Sequence, residues 1–101
     1  LDRVLLMSCQ ELQRFVDDVV RFHELATGLK SLNSHEQIIA LGQQSGYVFS
    51  EDDWQEMFEK DLSAQVSSVR QSVETANPEH WSWAFRQLSV WRGMLMAGAE
   101  D

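Results

Sequence analysis

The sequence contains one cysteine, one proline and one tyrosine among its 101 residues. Cys9 alone cannot close an internal disulfide, and no His/Cys set has the spacing of a zinc site, so the chain is expected to fold without covalent or metal staples. No apolar run approaches the ~18 residues of a membrane span. The N-terminal candidate, Val4 to Met7, is far too short, and no signal peptide is visible. Basic side chains are scarce. Eight Lys and Arg face sixteen Asp and Glu, and the net charge of -8 opposes non-specific attraction to nucleic acid or an anionic membrane. These absences predict a cytoplasmic chain with no nucleic-acid and no membrane partner. What is present, 44% hydrophobic and 24% charged residues, is the balance of a folded domain with a modest core.

Start and stop signals divide the chain into about four helices, an all-α bundle. Ser8 and Glu11 have capping-box spacing, and Leu12, Phe15, Val16, Val19 and Ala26 follow on one stripe. Thr27-Gly28 supplies a stop, which predicts helix one over about Cys9 to Thr27. Ser34 and Gln37 repeat the capping pattern ahead of Ile38, Ile39 and Leu41, and Gly46 ends this second helix near Ser45. Tyr47-Val48-Phe49 is too short for a sheet and reads as an extended link whose Tyr47 and Phe49 plug the core. Ser50 caps a third helix, with Glu51, Asp52 and Asp53 in its positive first turn. Its apolar face begins with Trp54, Met57, Phe58 and Leu62, and a narrower seam of Leu62, Val66, Val69 and Val73 follows. Helix three runs unbroken to Ala76 or bends near Asp61 to Ser63; both stay open. Phe15, Val19, Ile38, Leu41, Phe49, Trp54 and Phe58 form the expected core.

Asn77-Pro78-Glu79 reads as the start of helix four, which fades at Gly98. At 100° per residue, Trp81, Ala84, Phe85, Leu88 and Leu95 cluster on one side, with Trp91 at the edge. Trp83, Val90 and Met94 cluster on the opposite side. Two apolar faces on one terminal helix imply two burial partners. The first face would hold helix four to its bundle. Trp83, Val90, Met94 and Trp91 are then the candidate interaction residues, for a homodimer through the last helix or a foreign protein. Central burial by the chain's own helices is the competing explanation.

No catalytic constellation emerges, and neither enzyme activity, a cofactor nor a metal is expected. His23 falls in helix one's apolar stripe as a core or boundary residue. His23-Glu24 and His35-Glu36 begin like a zinc-protease motif, but Thr27 and Ile39 stand where the second histidine belongs. Cys9 has no base beside it in sequence. Glu51 to Asp61 lacks the glycine and ligand order of a calcium loop and reads as a solvated face or as a docking surface for a basic partner. Helix two, Gly46 and helix three imitate a helix-turn-helix, yet the acidic start of the candidate recognition helix would repel phosphates.

Residues from Ser8 to about Trp54 resemble the Nif-eleven family, small bacterial domains associated with nitrogen fixation and found as leader regions of modified peptides. The resemblance is carried by Leu12, Phe15, Val16 and Val19, by Glu24-Leu25 with Leu29, and by Glu36, Ile38, Ile39 and Ala40. Its most specific piece is Gly46-Tyr47-Val48-Phe49-Ser50 followed by acids. Met7-Ser8 looks like a family start, with Leu1 to Leu6 as an upstream extension. Gly98-Ala99 stands where leader members carry a cleavage site, with Glu100-Asp101 after it. The resemblance implies a Nif-eleven-like region over residues 8–60 and a Trp-rich helical extension over residues 61–101 packed on it. It also implies a non-catalytic, cytoplasmic recognition module of bacterial origin. The alternative is a leader-like region that recruits a peptide-modifying enzyme.

Overall fold

Six α-helices form among the described residues of the computed structural model, which describes the backbone of residues 2–100 and the side chains of residues 9–95. They are α1 (Asp2–Arg21), α2 (His23–Leu29), α3 (His35–Gln44), α4 (Glu51–Ser63), α5 (Ser67–Glu74) and α6 (Ser89–Glu100), with a 3-10 turn at Ala84–Arg86 before α6. The class is all-α, as the periodicity predicts, but three of the four expected helices divide or shift.

Helix one starts earlier and breaks sooner than expected. The backbone is already helical at Asp2 and runs through Ser8, so Ser8 is no N-cap. Phe22 then leaves helical geometry at φ -116° and ψ 115°, and α2 follows at a new angle. The bend lets Leu25, Ala26 and Leu29 reach the core, leaves Phe22 half-exposed at the corner, and puts His23 on the surface rather than inside. The hydroxyl of Ser8, the Met7-Ser8 start with Leu1 to Leu6 before it, and the Gly98-Ala99 pair lie outside the residues whose side chains are described. The question left open for helix three resolves as a break: α4 stops at Ser63, and α5 begins at Ser67 after an extended Val66.

Helix four is the largest correction. From Asn77 to Leu88 the chain makes successive turns instead of a helix. Short polar side chains compete for the backbone here. Asn77 Oδ1 accepts from the Glu79 amide at 3.0 Å, and His80 Nδ1 accepts from the Ser82 amide at 3.2 Å. The helix that follows is started by a distant residue. Asp61, on α4, accepts from the Ser89 amide at 3.1 Å and from its hydroxyl at 2.6 Å, a cap supplied across the fold.

The turns bring residues of both presumed faces into one core, while Trp81 and Val90 stay half-exposed. Trp83, Ala84, Phe85, Leu88 and Trp91 all join one core with Leu12, Phe15, Val16 and Val19 of α1, Ile38 and Ile39 of α3, and Trp54 of α4. α1 lies at the centre, packed against α2, α4 and α6. Trp91 stacks on Trp54 at 5.9 Å and meets Phe15 edge-on at 6.1 Å, while its indole donates to the Val16 carbonyl at 3.1 Å. Each such buried side chain is worth about 1.5–3 kcal/mol, so the C-terminal segment contributes a large part of the core. Of the expected core, Phe15, Val19, Ile38, Phe49 and Trp54 are buried, and Leu41 and Phe58 are packed against them half-buried.

Candidate functional site

The segment from Gly42 to Ser50 fixes how α4 lies against α1. Gly46 adopts φ 98°, in the left-handed region that favours glycine, and so reverses the chain after α3. The alternation of Tyr47, Val48 and Phe49 then sends the two aromatic rings inward and leaves Val48 outside. Phe49 stacks on Phe15 at 5.7 Å, and Gln43 Nε2 donates to its carbonyl at 2.9 Å. Tyr47 donates its hydroxyl to Asp18 at 2.6 Å, beneath the Arg14 guanidinium at 4.4 Å from its ring. Burial and the bond to the Asp18 carboxylate push the Tyr47 hydroxyl up to about 12. Arg14 in turn forms a two-point ion pair with Glu11, both bonds 2.8 Å, and the bond to Arg14 holds the Glu11 carboxyl below its ordinary value. Ser50 closes the turn with a full capping box: its hydroxyl accepts from the Asp53 amide, and Asp53 accepts from the Ser50 amide.

With α4 so placed, a groove of about 470 Å³ runs between α1 and α4. Asp53, Glu56, Met57, Lys60, Asp61 and Ala64 form its α4 wall, spaced as one helical stripe, and Cys9, Leu12 and Gln13 form the α1 wall. Leu12 and Met57 make the floor apolar. Three carboxylates and one ammonium line the groove; Asp53 is buried and Asp61 is paired with Arg92 at 3.7 Å, so the negative charge of the rim is centred on the exposed Glu56. The Cys9 thiol responds to this setting: desolvation, then the charges of Asp53 and Glu56, push it above its ordinary value, and it sits 3.9 Å from Asp53 Oδ1. It is therefore a protonated thiol at neutral pH, a poor nucleophile. A second hollow, of about 740 Å³, surrounds the α1–α2 corner, lined by Arg21, Phe22, Leu25, Leu41 and Tyr47 among others.

The candidate interaction residues fare differently from one another. Trp91 is fully buried and Trp83 is 8% exposed, so both spend their surface inside this chain. Val90 is 48% exposed and lies on the outer side of α6, whereas Met94 is half-buried and packed against the core. Trp81, expected on the inward face, is half-exposed instead. The cause is the same in each case: the turns before α6 destroy the single helical period on which the two faces depended. Of the acidic stretch, Glu51, Asp52, Glu56 and Glu59 are exposed, whereas Asp53 and Asp61 are used as caps.

The sequence offered His35 only as the start of an incomplete zinc-protease motif and Asp61 only as the end of an acidic stretch; the structure places His35 where α3, α4 and the C-terminal segment meet, and makes Asp61 the cap of α6. Neither has a local signal. Their partners are 19 and 28 residues away. Among the described residues, no helix is long and apolar enough to cross a membrane.

Residues 7–54 match the family model described as the Nif11 domain, a span that takes in α1 to α3, the Gly46 turn and the capped start of α4. No curated protein and no solved structure matches the chain.

Proposed function

Through residues 7–54 this chain belongs to the Nif11 domain family, and from that premise we propose that it is a non-catalytic recognition module whose α1–α4 groove receives a basic, amphipathic helix of a partner protein. The groove carries the reading. Its apolar floor of Leu12 and Met57 suits one or two aliphatic anchors, and its negative rim suits Lys or Arg beside them. A second copy of this chain fits poorly, because two chains of net charge -8 repel. A catalytic reading has little support at this site: Asp53 and Asp61 already serve as caps and the thiol is held protonated. The leader-like alternative assigns the same surface to a peptide-modifying enzyme as the partner.

Two synthetic peptides with one apolar face, differing only in a Lys/Arg or a Glu polar face, test this. Titrated into isotope-labelled protein, the basic peptide is expected to shift the amides around Cys9, Leu12, Met57 and Ala64, and less so as salt rises. Glu56→Lys should weaken it up to about fivefold, the range of an exposed charge pair. Shifts confined to other surfaces, or equal binding of the acidic peptide, overturn the reading.

Self-association through α6 stands as a second reading because Val90 is exposed and Met94 lies beside the core on the same helix. Sedimentation equilibrium of the wild type and of Val90→Glu decides it: a monomer in both excludes that reading.

A further inference from the structure

We propose that Asn77, His80 and Arg86 form a binding site for a phosphate group on the C-terminal segment, outside residues 7–54. With Ser72 and Ala76 they line a hollow of about 240 Å³ where the end of α5 meets the turns before α6. None of these lining residues is acidic, in a chain with 16 acidic and 8 basic side chains.

Internal bonds around the hollow consume acceptors and leave donors. Ser82, 1% exposed, is the anchor. Its amide donates to His80 Nδ1 at 3.2 Å. That nitrogen therefore carries no hydrogen, and the proton of the neutral ring sits on Nε2. The Ser82 hydroxyl, 2.7 Å from the same Nδ1, donates to it and accepts in turn from Arg86 Nε at 2.9 Å. Asn77 Oδ1 is spent on the Glu79 amide at 3.0 Å. The polar groups these three side chains have left, among the described residues, are all donors: the Asn77 amide nitrogen, His80 Nε2–H and the two terminal nitrogens of Arg86. Arg86 forms no ion pair with a described carboxylate.

Donors on three separate residues suit a tetrahedral anion, whose oxygens point in different directions, better than a flat carboxylate. Arg86 has also given its Nε to Ser82, so the side edge of its fork is taken and the end-on pair of amino groups remains. The bonds to Ser82 hold the His80 and Arg86 heads before a ligand arrives, which lowers the ordering cost of binding. Groups that would repel an anion are engaged elsewhere. At the end of α5, the Gln71 carbonyl accepts from the Thr75 amide and hydroxyl, and the Val73 carbonyl accepts from the Ala76 amide. Ser72 keeps its hydroxyl on the Ser68 carbonyl at 3.0 Å. Glu74 and Glu79 are exposed and do not line the hollow. The Trp81 ring, half-exposed and 5.5 Å from the His80 ring, offers a face to the organic part of a phosphate ester. This inference does not depend on what the groove binds.

Titration of inorganic phosphate into the isotope-labelled full chain at pH about 7.5, with ionic strength held constant by chloride, tests the site. The Arg86 Nε–H, the Asn77 side-chain amide, the His80 ring and the Trp81 indole should shift along one saturable curve. Arg86→Gln should weaken binding about tenfold or more, the range of one charge-assisted pair. Asn77→Asp keeps the acceptor for the Glu79 amide and replaces the donor with a negative oxygen. It should abolish binding with the turn intact, and it decides the matter if Arg86→Gln disturbs the fold. Phenyl phosphate separates the sources of the group. Tighter binding than inorganic phosphate, with a larger Trp81 shift, identifies an ester; equal or weaker binding identifies the free ion. Shifts that do not saturate, acetate bound as tightly as phosphate, or wild-type affinity in Asn77→Asp overturns the proposal.

Discussion

Gly42 and Phe49 form a pair whose coupling can be worked out from the structure. Gly42 lies inside α3, where glycine costs about 1 kcal/mol against alanine. A Cβ there would stand 2.5 Å from Phe49 Cζ and 2.6 Å from Cε1, with Phe15 Cδ2 at 3.3 Å. The Phe49 ring is buried and stacked on Phe15, so it cannot swing aside cheaply. Gly42→Ala therefore sets an overpacking cost of about 1–3 kcal/mol against its gain in helix propensity, and the net result in the wild type is destabilising. Phe49→Ala alone should cost about 3–5 kcal/mol, the loss of a full core ring. In that background the two clashing atoms are gone, and the freed space lets Phe15 give by a few tenths of an ångström. Gly42→Ala should then stabilise by about 1 kcal/mol, a reversal of sign.

Urea melts of the four proteins measure the cycle. A domain of this size has about 5–15 kcal/mol in all, so a weak member of that range would not survive Phe49→Ala. Phe49→Leu, which also lacks Cζ and Cε1, serves as a milder background. An equal effect of Gly42→Ala with and without the ring would refute the reasoning. So would a Phe49→Ala loss well under about 1 kcal/mol, which would place Phe49 outside the core.

Tyr47→Phe keeps the ring but leaves the buried Asp18 without its donor, and should cost about 1–3 kcal/mol in denaturant melts. Tyr47 is the sole tyrosine, so difference absorbance reads its ionisation alone, expected near 12 rather than the ordinary 10. A raised value stabilises the fold below 10 and is lost as pH rises toward 12, so alkaline stability should fall across that window. An ordinary titration would show that the bond to Asp18 is not formed. Trp83→Gln with Met94→Gln, the pair that two apolar helix faces would assign to an interface, should lower thermal stability, with Trp83 alone accounting for about 3–5 kcal/mol. Unchanged melting with lost self-association would return Trp83 to an outer surface.

The local features were legible because their causes are local. Ser34 and Ser50 cap α3 and α4 as their spacing predicts, each accepting from the amide three residues on. Gly46 reverses the chain, and Tyr47 and Phe49 plug the core because a two-residue alternation sends both rings the same way. The family pattern rests on these same residues, so it was readable too. The groove was half legible: the acidic α4 stripe is written in the sequence, but its apolar opposite wall on α1 depends on how the helices pack.

Long-range partners decided the rest. Arg21-Phe22-His23 carries no breaker, yet the helix bends there because Leu25, Ala26 and Leu29 gain burial from the bend. A helical wheel from Asn77 to Gly98 assumes one unbroken period; the Asn77 and His80 side-chain bonds and the cap from Asp61 replace that period with turns. Trp83 and Trp91 consequently share one core instead of facing two ways. His35 is an ordinary helix-start residue until Trp54, Phe58 and Trp83 close around it. Capping and turn energies act within a few residues and are encoded there. Burial rewards any arrangement that removes apolar surface from water, and which arrangement wins is settled only when the whole chain competes for one core.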